Sequence, residues 1–372
     1  MKITHIITDL DIGGAEIMLY KLLISLQDEA LESSVISLMR RGPIAEQIEA
    51  LGVKVCTLDL DQGSYPSLQA IKKLRKFIRI LDPNIVQGWM YHGNIVATIA
   101  IFLCQPMRKK IKLFWNIRQT LYSFINEKVQ TIWLIRLGSW LSFLPHSIIY
   151  NSTVSVKQHV SLGFSTKKTK MIPNGFDLQK FRPNEQNRQQ FREELGVTEN
   201  VLLIGHISRL HPMKDHATLL RAIDRIVDSL SGISGKQEVL FLLIGHGVTS
   251  ELSKNPSIRF LGERSDIPRI MSALDIVVSS SAWGEGFPNV IGEAMASEVP
   301  CVVTDVGDSA YIVGKYGRVC PVGDDQCIAN SLLQLIENKQ ERKTAGKQAR
   351  KRIKENYSMD KIKKEYLKEW GF

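Results

Sequence analysis

Short runs of β-branched and aliphatic residues alternate along this chain with stretches of helical periodicity, and the alternation runs through twice. In the first half the extended runs fall near residues 2–8, 33–38, 53–58, 85–87, 112–115, 147–150 and 170–172, with helical patterns at 15–27, 67–81 and 94–103. In the second half they fall near 201–206, 239–244, 258–261, 276–279 and 300–304, with helical patterns at 215–230, 266–273, 288–297 and 326–337. Apolar strands separated by helices belong to parallel sheets covered on both faces. Two successive sets predict two doubly wound α/β domains, and 372 residues are too many for one core. Pro173, Asn174, Gly175 and Pro183 punctuate the pattern, so domains of 1–180 and 181–357 are expected. The remaining segment, 358–372, reads as a charged helix. Its Tyr366, Leu367, Trp370 and Phe372 supply apolar surface for packing back on the first domain.

With 44% hydrophobic and 23% charged residues the composition is that of a globular protein. Five cysteines, an odd number with no C-x-x-C, suggest neither a disulfide framework nor a zinc site, which fits a reducing cytoplasm. The N-terminus reads as a first strand rather than a signal peptide. No stretch reaches the roughly 18 apolar residues of a membrane span. The nearest, 95–104 and 132–144, read as buried or interfacial helices.

The net charge of +10 is uneven. Residues 1–185 hold 23 Lys and Arg against 14 Asp and Glu, while residues 186–372 hold 25 against 24. Basic clusters lie at Lys72–Arg79, Arg108–Lys112 and Lys167–Lys170. They are either solvated helix faces or a surface for an anionic partner, a membrane or a nucleic acid. Nucleic acid is disfavoured, because the clusters lack interleaved aromatics and no recognised binding motif is present.

Ligands of doubly wound sheets bind at the loops following the strands, and three such loops carry chemistry. Gly13 and Gly14 open the first helix, where backbone can approach a ligand and the helix start favours an anion. Asp9 and Asp11 nearby form a D-x-D that reads as loop and capping chemistry rather than a metal site. In Ser208-Arg209-Leu210-His211-Pro212-Met213-Lys214, two cations flank a turn at the mouth of the second sheet, suited to a diphosphate or to a surface ion pair. The third loop, Trp283-Gly284-Glu285-Gly286-Phe287-Pro288-Asn289-Val290, runs into a helix carrying Glu293. Pro288 is expected at its first position, with the N–H groups of Phe287, Asn289 and Val290 offered to an anion or a sugar hydroxyl. Two glutamates eight apart mean little alone; the glycine turn and helix start between them give the spacing its weight.

These segments together resemble the retaining GT-B glycosyltransferases of family 4. Glu285 to Glu293 resembles the family's E-x7-E motif, Gly13-Gly14-Ala15-Glu16 its glycine loop, and Pro173-Asn174-Gly175-Phe176-Asp177 its interdomain segment. Arg209 with Lys214 resembles its cation pair, and Ile258–Gly262 the strand that holds the nucleotide base. The resemblance covers nearly the whole chain. It implies two Rossmann-like domains with parallel sheets facing across a cleft, and a hexosyltransferase that moves glucose or a related sugar from a UDP-sugar without a metal or other cofactor. Arg209 and Lys214 would bind the diphosphate. Glu285, with Phe287, Pro288, Asn289 and Val290, would hold the sugar, Glu293 the ribose, the backbone around Arg264 the base, and Gly14 the phosphates. The acceptor would be a polysaccharide or lipid-linked glycan, met by a basic first domain on the inner face of the cell membrane.

Two departures stand out. Arg118 occupies the region where many relatives place a histidine near the reacting sugar, and His92 on a neighbouring loop is an alternative. The apolar stretch 121–144, with Phe124, Trp133, Trp140 and Phe143, reads as core rather than as an interfacial face. A UDP-sugar epimerase of the same fold, and a basic membrane- or nucleic-acid-binding protein, are the competing functions.

Overall fold

The computed structural model describes residues 1–61, 67–104, 111–121, 129–231 and 237–372. It divides into two units, Met1–Gly175 with Met359–Phe372, and Phe176–Ser358. The boundary therefore falls five residues before the expected 180, for a packing reason. Phe176 and Phe181 join the core of the second unit, and the Phe176 N–H donates to the Tyr357 carbonyl at 2.9 Å.

The first unit is built on seven parallel strands: β1 (Lys2–Ile7), β2 (Glu32–Met39), β3 (Lys54–Leu60), β4 (Ile85–Trp89), β5 (Lys112–Ile117), β6 (Ser147–Tyr150) and β7 (Thr169–Met171). Their order is β3-β2-β1-β4-β5-β6-β7, so the sequence doubles back between β1 and β4. Ile3, Ile6, Ile36, Val86, Trp115 and Ile148 are buried, as strands covered on both faces require. The C-terminal helix Met359–Trp370 belongs to this unit. Tyr366 and Trp370 are fully buried among Ile7, Leu19 and Phe114, and the Trp370 indole donates to Gln87 Oε1 at 2.9 Å.

The second unit has β8 (Leu202–Ile207), β9 (Val239–Ile244), β10 (Ile258–Gly262), β11 (Ile276–Ser279), β12 (Cys301–Thr304) and β13 (Arg318–Cys320), ordered β10-β9-β8-β11-β12-β13. Here the reversal lies between β8 and β11, paired through Ile204 and Ile276.

One expectation is overturned outside the sheets. The helix Val129–Leu141 buries Ile135 and Gly138, but Trp133, Trp140 and the following Phe143 are exposed, so this stretch is not core. Phe124 and the basic residues Arg108, Lys109 and Lys110 lie outside the described residues. No described helix is long and apolar enough to cross a membrane.

Candidate functional site

In the second unit, the loops that follow β8 and β11 rise side by side where the strand order reverses, the position at which open parallel sheets bind ligands. The first loop carries Arg209 and Lys214, the second Glu285. Backbone and hydroxyl bonds fasten the two together: Ala282 N–H donates to the Met213 carbonyl at 2.8 Å, and Ser280 Oγ to the Lys214 carbonyl at 2.8 Å. Across this seam the Lys214 ammonium is ion-paired with Glu285 Oε1, which also accepts from Ser281 Oγ at 2.8 Å. Both side chains are largely withdrawn from water, 19% and 11% exposed, so the pair is less screened than a surface pair. Arg209, in contrast, is exposed and makes no ion pair among the described residues.

The seam is supported from below and behind. Ser208 Oγ lies 2.8 Å from His206 Nε2 and 3.3 Å from His216 Nε2, with the two rings edge to face at 4.8 Å. Burial, with His216 adding, pushes His206 down to about 3, so it stays neutral. Its Nδ1 faces the Val278 carbonyl at 3.0 Å and carries the proton, which leaves Nε2 to accept from Ser208. Behind Glu285, Gly307 adopts φ +59°, and a Cβ there would strike the Glu285 carbonyl. Only glycine lets that loop approach so closely. The next residue, Asp308, donates its N–H to the Gly286 carbonyl at 2.9 Å.

The helix that follows is Asn289–Ala296, with Pro288 as its N-cap rather than its first residue. With ψ at 119° Pro288 is still extended, so helical geometry begins one residue later than expected. Phe287 is buried against Phe176 and Tyr357, anchoring the turn; Asn289 and Val290 are half-buried at the helix start, and no side chain caps it. Glu293 is the fifth residue of this helix and half-buried. The Arg264 side chain is fully engaged: it grips Asp266 at 2.8 and 2.7 Å and Glu194 at 3.0 Å, and these bonds raise its pKa. Only the backbone there is available for a ligand.

Gly13, Gly14, His92 and Arg118 belong to the first unit. Gly13 is the N-cap of the helix Gly14–Ser25, and a Cβ built on Gly14 would meet no atom within 4 Å. The half-buried Glu16 carboxyl folds back on this helix start and accepts from the N–H groups of Ala15 and Glu16. Burial raises it to about 7, and the charges of Asp9 and Asp11 add to the shift. His92 is exposed beside Met90, whose φ of +61° is a strained value for a residue with a side chain. The Arg118 guanidinium is spent on neutral groups: Asn116 Oδ1 at 3.2 Å, the Tyr366 hydroxyl at 2.9 Å and Asn174 Oδ1. It ties the C-terminal helix to the end of β5.

The family Glycosyltransferase Family 4 matches residues 12–180, and Glycosyl transferases group 1 matches residues 201–338. The chain belongs to the family 4, group 1 glycosyltransferases. It is therefore an enzyme that transfers sugars. It is similar to the N-acetyl-alpha-D-glucosaminyl L-malate synthase of Bacillus anthracis, 25% identical over 290 residues that cover 74% of this chain and 72% of the relative. It is 30% identical over 181 residues to the UDP-Gal:alpha-D-GlcNAc-diphosphoundecaprenol alpha-1,3-galactosyltransferase of Escherichia coli, 46% of each chain. The crystal structure of Anabaena Alr3699/HepE in complex with UDP superposes with a TM-score of 0.84 over 99% of both chains at 24% identity. The fold is GT-B: two doubly wound domains of seven and six parallel strands.

Several residues of the β8/β11 seam escaped the sequence. Ser281 and Ser280 hold Glu285 and Lys214, and their only mark was a run of three serines after an apolar strand. His206 and His216 read as ordinary polar residues because nothing in their spacing reveals a shared serine. Among the described residues no three His, Cys, Asp or Glu are grouped to hold a metal.

Proposed function

We propose that this family 4 enzyme is a retaining hexosyltransferase that moves glucose or a closely related hexose from a UDP-sugar to a polysaccharide or lipid-linked glycan. It works without a metal, from the cytoplasmic side of an anionic membrane surface. The observation that carries the reading is the Lys214–Glu285 pair at the β8/β11 reversal, a cation and a carboxylate held together beside the exposed Arg209. A diphosphate leaving group needs positive charge where its own charge develops, and preorganised groups in a partly dry site supply it most effectively. Arg209 offers a fork to two oxygens and Lys214 a point charge, so the protein itself brings the charge a metal would bring. Glu285, with Phe287, Pro288, Asn289 and Val290, holds the sugar hydroxyls, and Glu293 the ribose. The backbone around Arg264 reads the base, while Gly13 and Gly14 receive the phosphates. His92 meets the acceptor side, and Arg118 positions the C-terminal helix.

Two relatives support the donor and acceptor classes. The Escherichia coli enzyme is named for UDP-Gal and a diphosphoundecaprenol-linked sugar, and the Anabaena protein has been crystallised with UDP-glucose. The test is a thermal-shift screen of UDP-, GDP- and ADP-sugars in metal-free buffer. A ligand at 100 times its Kd stabilises the folded state by about 2.7 kcal/mol. A UDP-hexose should raise the melting temperature by several degrees where its GDP and ADP counterparts do not. No shift with any UDP-sugar at millimolar concentration overturns the donor assignment, and the anomer of the product, read by NMR, tests retention.

A further inference from the structure

The helix Val129–Leu141 is apolar on both sides but covered on one. It buries Ile135 and Gly138, while Val129, Trp133, Leu137 and Trp140 stand 69%, 65%, 42% and 80% exposed. At 3.6 residues per turn these four fall within about 80° of arc, on the side opposite the buried pair. Phe143, 63% exposed, follows the helix end. Isolated exposed aliphatics are ordinary; two tryptophans and a phenylalanine aligned with a leucine on one face form a contiguous patch that marks an interaction surface.

The surroundings say what covers it. Between Asp82 and Asp177 the sequence holds one carboxylate, Glu127, against eleven Lys and Arg. The first unit as a whole holds 25 Lys and Arg against 15 Asp and Glu, whereas the second holds 23 of each. The net charge of +10 thus resides entirely in the unit that bears the stripe. Arg136 lies on the stripe's flank with its guanidinium 5.9 Å from the Trp133 ring. Lys167 and Lys168 sit on the turn Thr166–Lys168, which the Ser165 N–H ties to Ser142 Oγ at 2.9 Å, just beyond the helix end. An apolar stripe flanked by Arg136 in a strongly basic unit, with tryptophans and no carboxylate in the helix, is the pattern of a helix lying in a bilayer interface.

We propose that this face is a membrane-docking surface: the helix Val129–Leu141 lies flat on an anionic bilayer, with Trp133, Leu137, Trp140 and Phe143 at the boundary between headgroups and acyl chains. The inference rests on the membrane reading of the preceding section but not on its donor chemistry. This helix runs from the loop edge of the first sheet, after β5, back to the start of β6. Docking therefore holds that edge, with His92, close to the bilayer, so that a lipid-linked acceptor is reached without leaving it.

The full chain is tested by flotation with vesicles of phosphatidylglycerol and phosphatidylcholine, alongside vesicles of phosphatidylcholine alone. Binding is expected to the anionic vesicles and to weaken as salt rises. It should come with a blue shift of tryptophan emission and quenching by brominated acyl chains. Trp133→Ala/Trp140→Ala, at exposed positions, should keep the wild-type melting temperature and donor-induced thermal shift yet lower vesicle partitioning tenfold or more. The proposal is overturned if the wild type stays unbound at low salt, or if the double variant partitions like the wild type. A dimer that light scattering shows the double variant to dissolve, without vesicle binding, would likewise overturn it and make the face a self-association surface. Because donor binding is read separately, failure here leaves the donor assignment standing.

Discussion

Replacing Lys214 by alanine removes two things at once, and their magnitudes differ enough to be separated. The ammonium is the counter-ion of Glu285 in a pair that is 19% and 11% exposed. Exposed pairs contribute about 0–1 kcal/mol, while breaking a buried pair costs about 3–5, so this half-buried pair should cost about 1–3 kcal/mol. At roughly 2–4 °C per kcal/mol for a unit of this size, the second unit should melt roughly 2–12 °C lower. If the same ammonium meets a departing diphosphate, as proposed above, it is worth about 10²–10³ in kcat. Neutralising the orphaned carboxylate distinguishes the two losses. Lys214→Ala/Glu285→Gln should recover most of the melting temperature in calorimetry, yet leave turnover at saturating donor at least a hundredfold down. Release of the nucleotide diphosphate is the measured rate. Recovery of wild-type kcat in the double variant would refute the reasoning, since the lysine would then serve only to balance the glutamate. So would a single variant within threefold of wild type.

Gly14→Ala should leave the fold intact, because the added methyl meets no protein atom within 4 Å and alanine favours a helix by up to about 1 kcal/mol. If the glycine loop receives the donor phosphates, the donor KM should rise tenfold or more, and an unchanged KM removes the loop from the site. The Glu16 carboxyl, raised from 4.5 to about 7, binds its proton more tightly in the folded than in the unfolded state. Its stabilising contribution is therefore complete below pH 4.5 and lost as pH climbs to about 7. Glu16→Gln should be more stable than wild type at pH 8, by an amount on the order of 1–3 kcal/mol that shrinks towards pH 5, and a pH-independent difference in melting temperature would refute this. EDTA should leave turnover unchanged; inhibition rescued by Mn²⁺ would return Asp9 and Asp11 to consideration as ligands.

The sheets were legible because strands buried on both faces are largely apolar, and Val239–Ile244 can hardly be anything else. The edge strand β13 was not, since three residues with only Cys320 buried carry no periodicity. The helix Glu185–Leu195 escaped for a related reason. It is polar nearly throughout and buries Arg192, an unlikely core residue until its bonds to the Thr198 and Val201 carbonyls are seen. For Val129–Leu141 the sequence was ambiguous in principle: a core helix and an interfacial helix draw on the same residues, and only the exposed side decides. At the site, Lys214 and Glu285 were each visible from loop context. Their pairing across 71 residues is a tertiary fact, as is the serine seam that holds them.

The loops at the two points of strand reversal are opposite in charge. In the second unit the loop after β8 presents Lys214, paired with Glu285, and Arg209, which makes no ion pair among the described residues. In the first unit the corresponding loop presents Asp9, Asp11 and Glu16, and the Glu16 carboxyl already occupies the helix-start N–H groups of Ala15 and Glu16. A phosphate drawn to Gly13 and Gly14 would compete for those same donors and meet repulsion from the two aspartates. It succeeds only if Glu16 gives way, and a carboxyl that titrates near 7 gives way at little cost, by taking a proton or by turning out to water. On the function proposed above, Arg209 and Lys214 would therefore carry the main affinity for a diphosphate.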